Sequence, residues 1–368
     1  MCKTSIGQWR TVCLFGCMLV LCASFSCPIG AQSNRAEMID GGVAFLRKAQ
    51  LEDGSFSSKT GPGVTGLVLN SLIASGLGEG DPVVDKAVRY ILSTARPDGG
   101  LYAEGSRHAN YETCLAMVAL VKLNKDGKYQ DLIGKAEKFV KKQQWDEGEG
   151  LESSDPAYGG AGYGSKSRPD LSNTSFLIEA LRDVGNGEDD PAIQRALSFV
   201  SRCQNLESPF NKTPFANKAN DGGFYYTPAN GGESFAGVDE TTGALRSYAS
   251  MSYAGLKSMI FAGVKKDDVR VKAVKDYLFK NYSVSTNPGM GETGLYYYQH
   301  TMAKALAALG EPNFDTKDGP RNWKADLMAQ LQKTQQPDGS WVNQQVRWME
   351  GDPNLVTGYA LLTLSYLK

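Results

Sequence analysis

The 368-residue sequence predicts an all-α fold, an α6/α6 double-layered toroid of about six helical-hairpin repeats, on three observations. One unit recurs along the chain: an amphipathic run, a glycine turn, then a nearly uncharged apolar run. The two runs differ in a way that layers them, because a one-sided stripe buries one face and an apolar run must be covered all round. Glycine, at 41 residues, shows no collagen period and gathers at the turns between runs.

The chain opens with Lys3 and Arg10 ahead of an uncharged stretch from Thr11 to Asn34, whose apolar centre runs Val12 to Phe25. That centre is too short to span a bilayer and has the content of an export segment. A small-residue exit at Ile29-Gly30-Ala31 predicts a signal peptide over 1–31, bacterial-type export, and a secreted or periplasmic protein with no transmembrane anchor after cleavage. A buried helix is the other reading of this run, weakened by its lack of an amphipathic stripe and its end at Cys27-Pro28. Lipidation of Cys27 fits poorly, because Ser24 stands where a larger aliphatic side chain is wanted. Five of seven cysteines lie here, leaving Cys114 and Cys203 in helical runs, where two separate buried thiols are expected rather than a disulfide framework. With 39 basic and 40 acidic residues, nothing marks the chain as a nucleic-acid binder.

The toroid domain is expected over 36–368. Its first unit holds Phe45 through Gln50, Asp53-Gly54-Ser55-Phe56 and an apolar run from Thr65; the last holds Leu331, Gln336, Asp338-Gly339-Ser340-Trp341 and a run from Thr357. Between them the second runs open at Thr113, Thr174, about Ser250, and Thr301, and the six openings are spaced 48 to 76 residues apart, room for two helices and a variable loop each. Val84, Val88, Ile91 and Leu92 share a face in one first helix, as do Ile133, Ala136, Phe139 and Val140 in another, so first helices form the outer layer. Cys114 to Val121 and Tyr359 to Leu364 carry almost no charge and form the inner one. Closure is favoured over an open solenoid because six units suffice for a ring and neither end shows a polar capping repeat.

The Phe45–Gln50, Asp53–Phe56 and Gln336–Trp341 segments resemble the repeats of squalene-hopene cyclases and, more broadly, the prenyltransferase/squalene oxidase repeat superfamily. The resemblance implies a barrel with a central cavity. Protonating cyclases of this kind carry Asp-x-Asp-Asp-Thr, and the matching segment is Asp170-Leu171-Ser172-Asn173-Thr174; Ser172 stands at the proton donor's position, and a hydroxyl cannot protonate an olefin. Protein prenyltransferase β subunits hold zinc through Asp, Cys and His. Tyr298-Gln299-His300-Thr301 is similar to their His segment, but Ser247 to Tyr253 supplies neither partner ligand, so no metal and no cofactor are expected.

Residues just before each inner-run hydroxyl, Val64, Glu112, Asn173, about Ala249, His300 and Val356, are expected at the barrel mouth. There Glu112, Asn173 and His300 either orient a ligand or satisfy free N–H groups at helix starts, and Asp170 divides the same way. Of the aromatics near the turns, Tyr163, Tyr226 and Tyr298 are the ligand-binding candidates, against a role as wedges between layers. Glu188-Asp189-Asp190 and Asp267-Asp268 precede outer helices and read as caps. The longest insertion, Asn205 to Val238, is a plausible place for a ligand-specific loop. The expectation is an exported toroid that binds an unidentified ligand, apolar or polysaccharide, without the superfamily's chemistry. The alternative is a divergent enzyme, either terpenoid cyclase-like or a sugar hydrolase or lyase. A hydrolase would need two carboxylates about 5 to 10 Å apart, drawn from Glu112, Asp170, Asp239 and Glu240.

Overall fold

The computed structural model describes residues 29–57 and 61–368, so the expected export segment lies outside the described residues except for 29–31. Among these residues the chain forms twelve α-helices: α1 Ile29–Ala49, α2 Pro62–Ala74, α3 Pro82–Ser93, α4 Ala109–Leu123, α5 Gln130–Lys142, α6 Leu171–Asp183, α7 Pro191–Arg202, α8 Ala249–Phe261, α9 Val269–Lys280, α10 Leu295–Leu309, α11 Trp323–Thr334 and α12 Pro353–Ser365. Even-numbered helices pack side by side in chain order, and α12 packs on α2, so the inner ring is closed. Each later outer helix rests on the inner helix before it in the chain, and α1 rests on α12.

The layering follows from the residue patterns. In α5 the buried residues are Ile133, Ala136, Phe139 and Val140, one stripe of an otherwise wet helix, whereas α4 is buried almost along its length. Outer helices start on aspartates that accept backbone N–H bonds: Asp81 from Val83, Asp190 from Ala192 and Asp268 from Arg270. Cys114 and Cys203 are buried and unpaired. Among the described residues no helix is long and apolar enough to cross a membrane.

Three repeated contacts join the units. A glutamine just past an outer helix donates to its own turn and to the first turns of the next outer helix: Gln50 to Gly54 and Val83, Gln144 to Gly159 and Ala192, Gln204 to Gly222 and Arg270. In the last unit Gln335 does this, bonding Gly339 and Met38 of α1 at 3.0 Å each. Gln336, the expected residue, bonds only Thr334 O, because Gln335 already takes an extended conformation at the helix end.

The turn glycines Gly54, Gly99, Gly159, Gly222 and Gly339 all have positive φ, and each lies against a carbonyl of the next outer helix, where a side chain would overlap it. For Gly339 that carbonyl belongs to Gly41 of α1. The boundary lacking this contact, between α9 and α11, carries instead a two-stranded hairpin, β1 Phe314–Thr316 with β2 Gly319–Arg321.

Finally, a hydroxyl in the first turns of an inner helix accepts the backbone N–H of the residue after the turn. The pairs Thr65–Phe56, Thr113–Leu101, Thr174–Ala161, Ser252–Phe224 and Thr357–Trp341 span 2.9–3.1 Å. Ser252, not Ser250, therefore holds the repeat position in α8, and Thr301 of α10 bonds only its own helix, at Tyr297 O.

Candidate functional site

Every inner helix starts at the same end of the barrel, and there the ring encloses a cavity of about 790 Å³. The first turns supply its wall: Gly63 and Val64 of α2, Tyr111 and Glu112 of α4, Ser172 and Phe176 of α6, Ser250 and Met251 of α8, Tyr297 of α10, and Leu355 and Tyr359 of α12. The facing position is mostly two residues before the repeat hydroxyl rather than one. On a helix one residue turns the side chain by about 100°, which is enough to move Asn173, Ala249, His300 and Val356 off the axis.

Loops complete the mouth. Tyr163, Tyr248, and Tyr226 and Phe235 of the long insertion join Trp348 and Met349. Tyr226 and Phe235 have ring centroids 4.5 Å apart, Phe235 and Trp348 5.3 Å, and Tyr111 meets Phe176 edge to face at 5.1 Å. Arg347 lies over both Phe235 and Trp348 at 4.8 and 4.7 Å. Trp348 and Met349 hold left-handed backbone conformations, φ 54° and 65°, so this rim segment carries its side chains at a conformational cost.

Three carboxyls stand at the converging helix starts, where free N–H groups and the helix dipoles favour negative charge. Glu112 is buried and accepts from Ala103 N at 2.9 Å and Ser106 Oγ at 2.7 Å, and burial raises its pKa despite those donors. Glu350 accepts from Tyr297 N at 2.8 Å and Asn343 Nδ2 at 2.6 Å, and burial raises it likewise. Asp170 begins α6, accepting from the Asn173 backbone and side-chain amides at 2.9 and 2.7 Å, with the Tyr226 hydroxyl also bonded to it. Burial pushes Asp170 up to about 6. Ser172 reaches the cavity, its hydroxyl 2.9 Å from that of Tyr297.

Of the sequence candidates, Glu112, Tyr163 and Tyr226 line the cavity, and Asp170 sits behind Tyr226 with Asn173 holding it. Asp239, half-buried, and Glu240, exposed, lie just past the insertion; Asp239 accepts from Thr241 and Thr242. Tyr298 faces the layer between helices, giving its hydroxyl to Ser283 O. His300 is farther down the barrel beside Lys304 and Glu179, and burial, then the Lys304 charge, depresses it to about 3. Unanticipated were Tyr111, Tyr248, Tyr359 and Glu350. The spacing of Tyr248 and Tyr297, each four residues before its inner-helix hydroxyl, carries that signal. Glu350 had none, since it reaches α10 from a loop some fifty residues on.

Far from the mouth the barrel is filled. Glu179 pairs with Lys257 at 2.9 Å and with Lys304, and these ammonium groups outweigh the effect of burial and hold its carboxyl well below the usual range. Lys122 donates to Asn70 Oδ1 at 3.0 Å.

The family described as "Squalene-hopene cyclase C-terminal domain" matches residues 58–235 and "Prenyltransferase alpha-alpha toroid domain" matches residues 165–367. A probable squalene–hopene cyclase of Sinorhizobium fredii is 33% identical over 82 residues, 22% of this chain; the match spans 13% of that protein's length. Among solved structures, a family 76 glycoside hydrolase from a bovine Bacteroides thetaiotaomicron strain superposes with TM-score 0.55 at 12% identity, over 90% of this chain and 77% of that one. A possible GH105-family member from Salmonella enterica gives 0.56 at 11%, over 90% and 93%. At these identities the two structures share the fold alone. With more than half its length matched by the toroid family, closed as that family closes, the chain belongs to the prenyltransferase α/α toroid family.

Proposed function

We propose that the protein is a ligand-binding toroid whose axial cavity takes a ring-containing organic molecule with apolar faces and hydrogen-bonding edges, and that it acts after export from the cytoplasm. The carrying observation is the cavity itself, of a size suited to a drug-sized or larger ligand, with aromatic walls edged by the hydroxyls of six tyrosines. Olefin protonation is not part of this reading, because the residue at the donor position is Ser172 and its hydroxyl is bonded to Tyr297. A second reading, acid catalysis, is favoured by one contact: Asp170, protonated near pH 6, touches a cavity tyrosine. Mass spectrometry of organic extracts from the purified protein, followed by calorimetric titration of the recovered compound, tests the binding reading. A compound bound by the wild type and at least tenfold more weakly by Tyr111→Ala supports it. Empty extracts, or unchanged affinity in that variant, overturn it. Turnover of the compound that disappears in Asp170→Asn would transfer the assignment to the second reading. Cell fractionation with N-terminal sequencing tests export.

A further inference from the structure

The mouth cavity and a void of about 30 Å³ follow one another down the inner helices, and one side chain stands between them. Around the ring the change from one space to the other takes less than a helical turn. On α4 Tyr111 lines the cavity and Cys114 the void; Tyr297 and His300 do so on α10, and Tyr359 and Leu362 on α12. On α6 the step is different. Ser172 lines the cavity and Glu179 the void, while Phe176, on the same helix face between them, lines both. Among the described residues no other side chain lines both spaces.

The Phe176 ring is braced twice. Tyr111 meets it edge to face at 5.1 Å, and the Lys257 ammonium lies 5.8 Å from its centroid. Lys257 is itself held by Glu179 at 2.9 Å, so the ion pair of the floor backs the ring. The exposed polar residues of the cavity lining, Glu104, Arg107 and His108, all belong to the loop ahead of α4. The first-turn carboxyls Glu112 and Glu350 already have both oxygens bonded. A ligand's polar end is therefore best met at that loop, and its inner end meets an aromatic ring.

We propose that Phe176 is a depth stop that sets the length of ligand the cavity accepts, the ligand entering apolar end first with its polar end at the 104–108 loop. This rests on the ligand-binding reading above. Removing the ring joins the two spaces and deepens the site by about 5 Å, one helical turn, before the floor ion pair is reached.

Calorimetric titration of the full protein with para-alkylphenols, ethyl to decyl, tests the stop. On the wild type, affinity should rise about threefold per methylene and cease to rise at one chain length. In Phe176→Ala the rise should continue for about two methylenes more, and Phe176→Leu should give a smaller shift in the same sense. A break at the same length in all three proteins, or no break in the wild type, overturns the proposal. A second readout needs no ligand, so it decides the stop even if the ligand-binding reading fails. Cys114 is buried in the wall of the void. Methyl methanethiosulfonate should modify it at least tenfold faster in Phe176→Ala than in the wild type, with Cys203, buried at the end of α7, unmodified in both. Equal rates at Cys114, or a rise at Cys203 as large as that at Cys114, overturn the stop.

Discussion

The two ends of the inner barrel share six helices and differ in almost everything else. At the mouth, acids sit on helix starts, their ionisation opposed by burial, around a space of about 790 Å³. At the floor, Lys257 and Lys304 sit in the C-terminal halves of α8 and α10, tied by the Glu179 carboxylate beside a space of about 30 Å³. Helix polarity favours the acids at the mouth, and the Glu179 carboxylate holds the lysines at the floor. Packing accounts for the use: the floor is a solid plug that holds the ring, and the mouth is where side chains are spared from holding anything.

That division predicts unequal costs. Glu179→Gln strands Lys257 and Lys304 and should lose about 3–5 kcal/mol in chemical denaturation, whereas Glu112→Gln, whose donors come from a neutral hydroxyl and a backbone N–H, should lose about 1–2 kcal/mol. Equal losses would break the comparison.

The ends should also answer pH in opposite senses. His300 is depressed from 6.5 to about 3, so the unfolded chain takes up its proton first and stability falls as pH drops below 6.5. Between pH 6.5 and 4 the loss is roughly 3 kcal/mol, and His300→Gln should remove it. Asp170 is raised from 3.8 to about 6, so the folded chain holds the proton longer and stability falls as pH rises through that interval, again by roughly 3 kcal/mol. Asp170→Asn should remove that slope. Urea unfolding across pH 4–7 for the two variants separates them.

The smallest effect on folding belongs at the rim. Trp348 is 38% exposed, so Trp348→Ala should change stability by about 1 kcal/mol or less while weakening the cavity ligand at least tenfold. A large stability loss with unchanged affinity would make Trp348 part of the scaffold instead.

Layer order and helix number were legible because they follow from residue periodicity and the repeat, and ring closure because six units suffice for a ring and neither end shows a polar capping repeat. The failures are slips of one or two residues with tertiary causes. Ser250 and Ser252 are indistinguishable until Phe224 N picks one, and Gln336 yields to Gln335 because the helix stops early. His300 keeps the family's sequence context but lies deeper, since α10 begins at Leu295 and its first turns present Tyr297 to the cavity. The floor was invisible because Lys257 and Lys304 are isolated charges within apolar runs and their partner Glu179 lies on another helix. Only folding brings Lys257 and Lys304 to one carboxylate, Glu179 of α6.

The join between last and first units uses the same glutamine bond and the same glycine approach as the internal boundaries, and Arg35 Nε meets Leu364 O at 2.9 Å across it. A circle built this way has no privileged starting point. The chain rewired by a short peptide from Lys368 to α1, and severed in the exposed loop at 185–189, should trace the same circle.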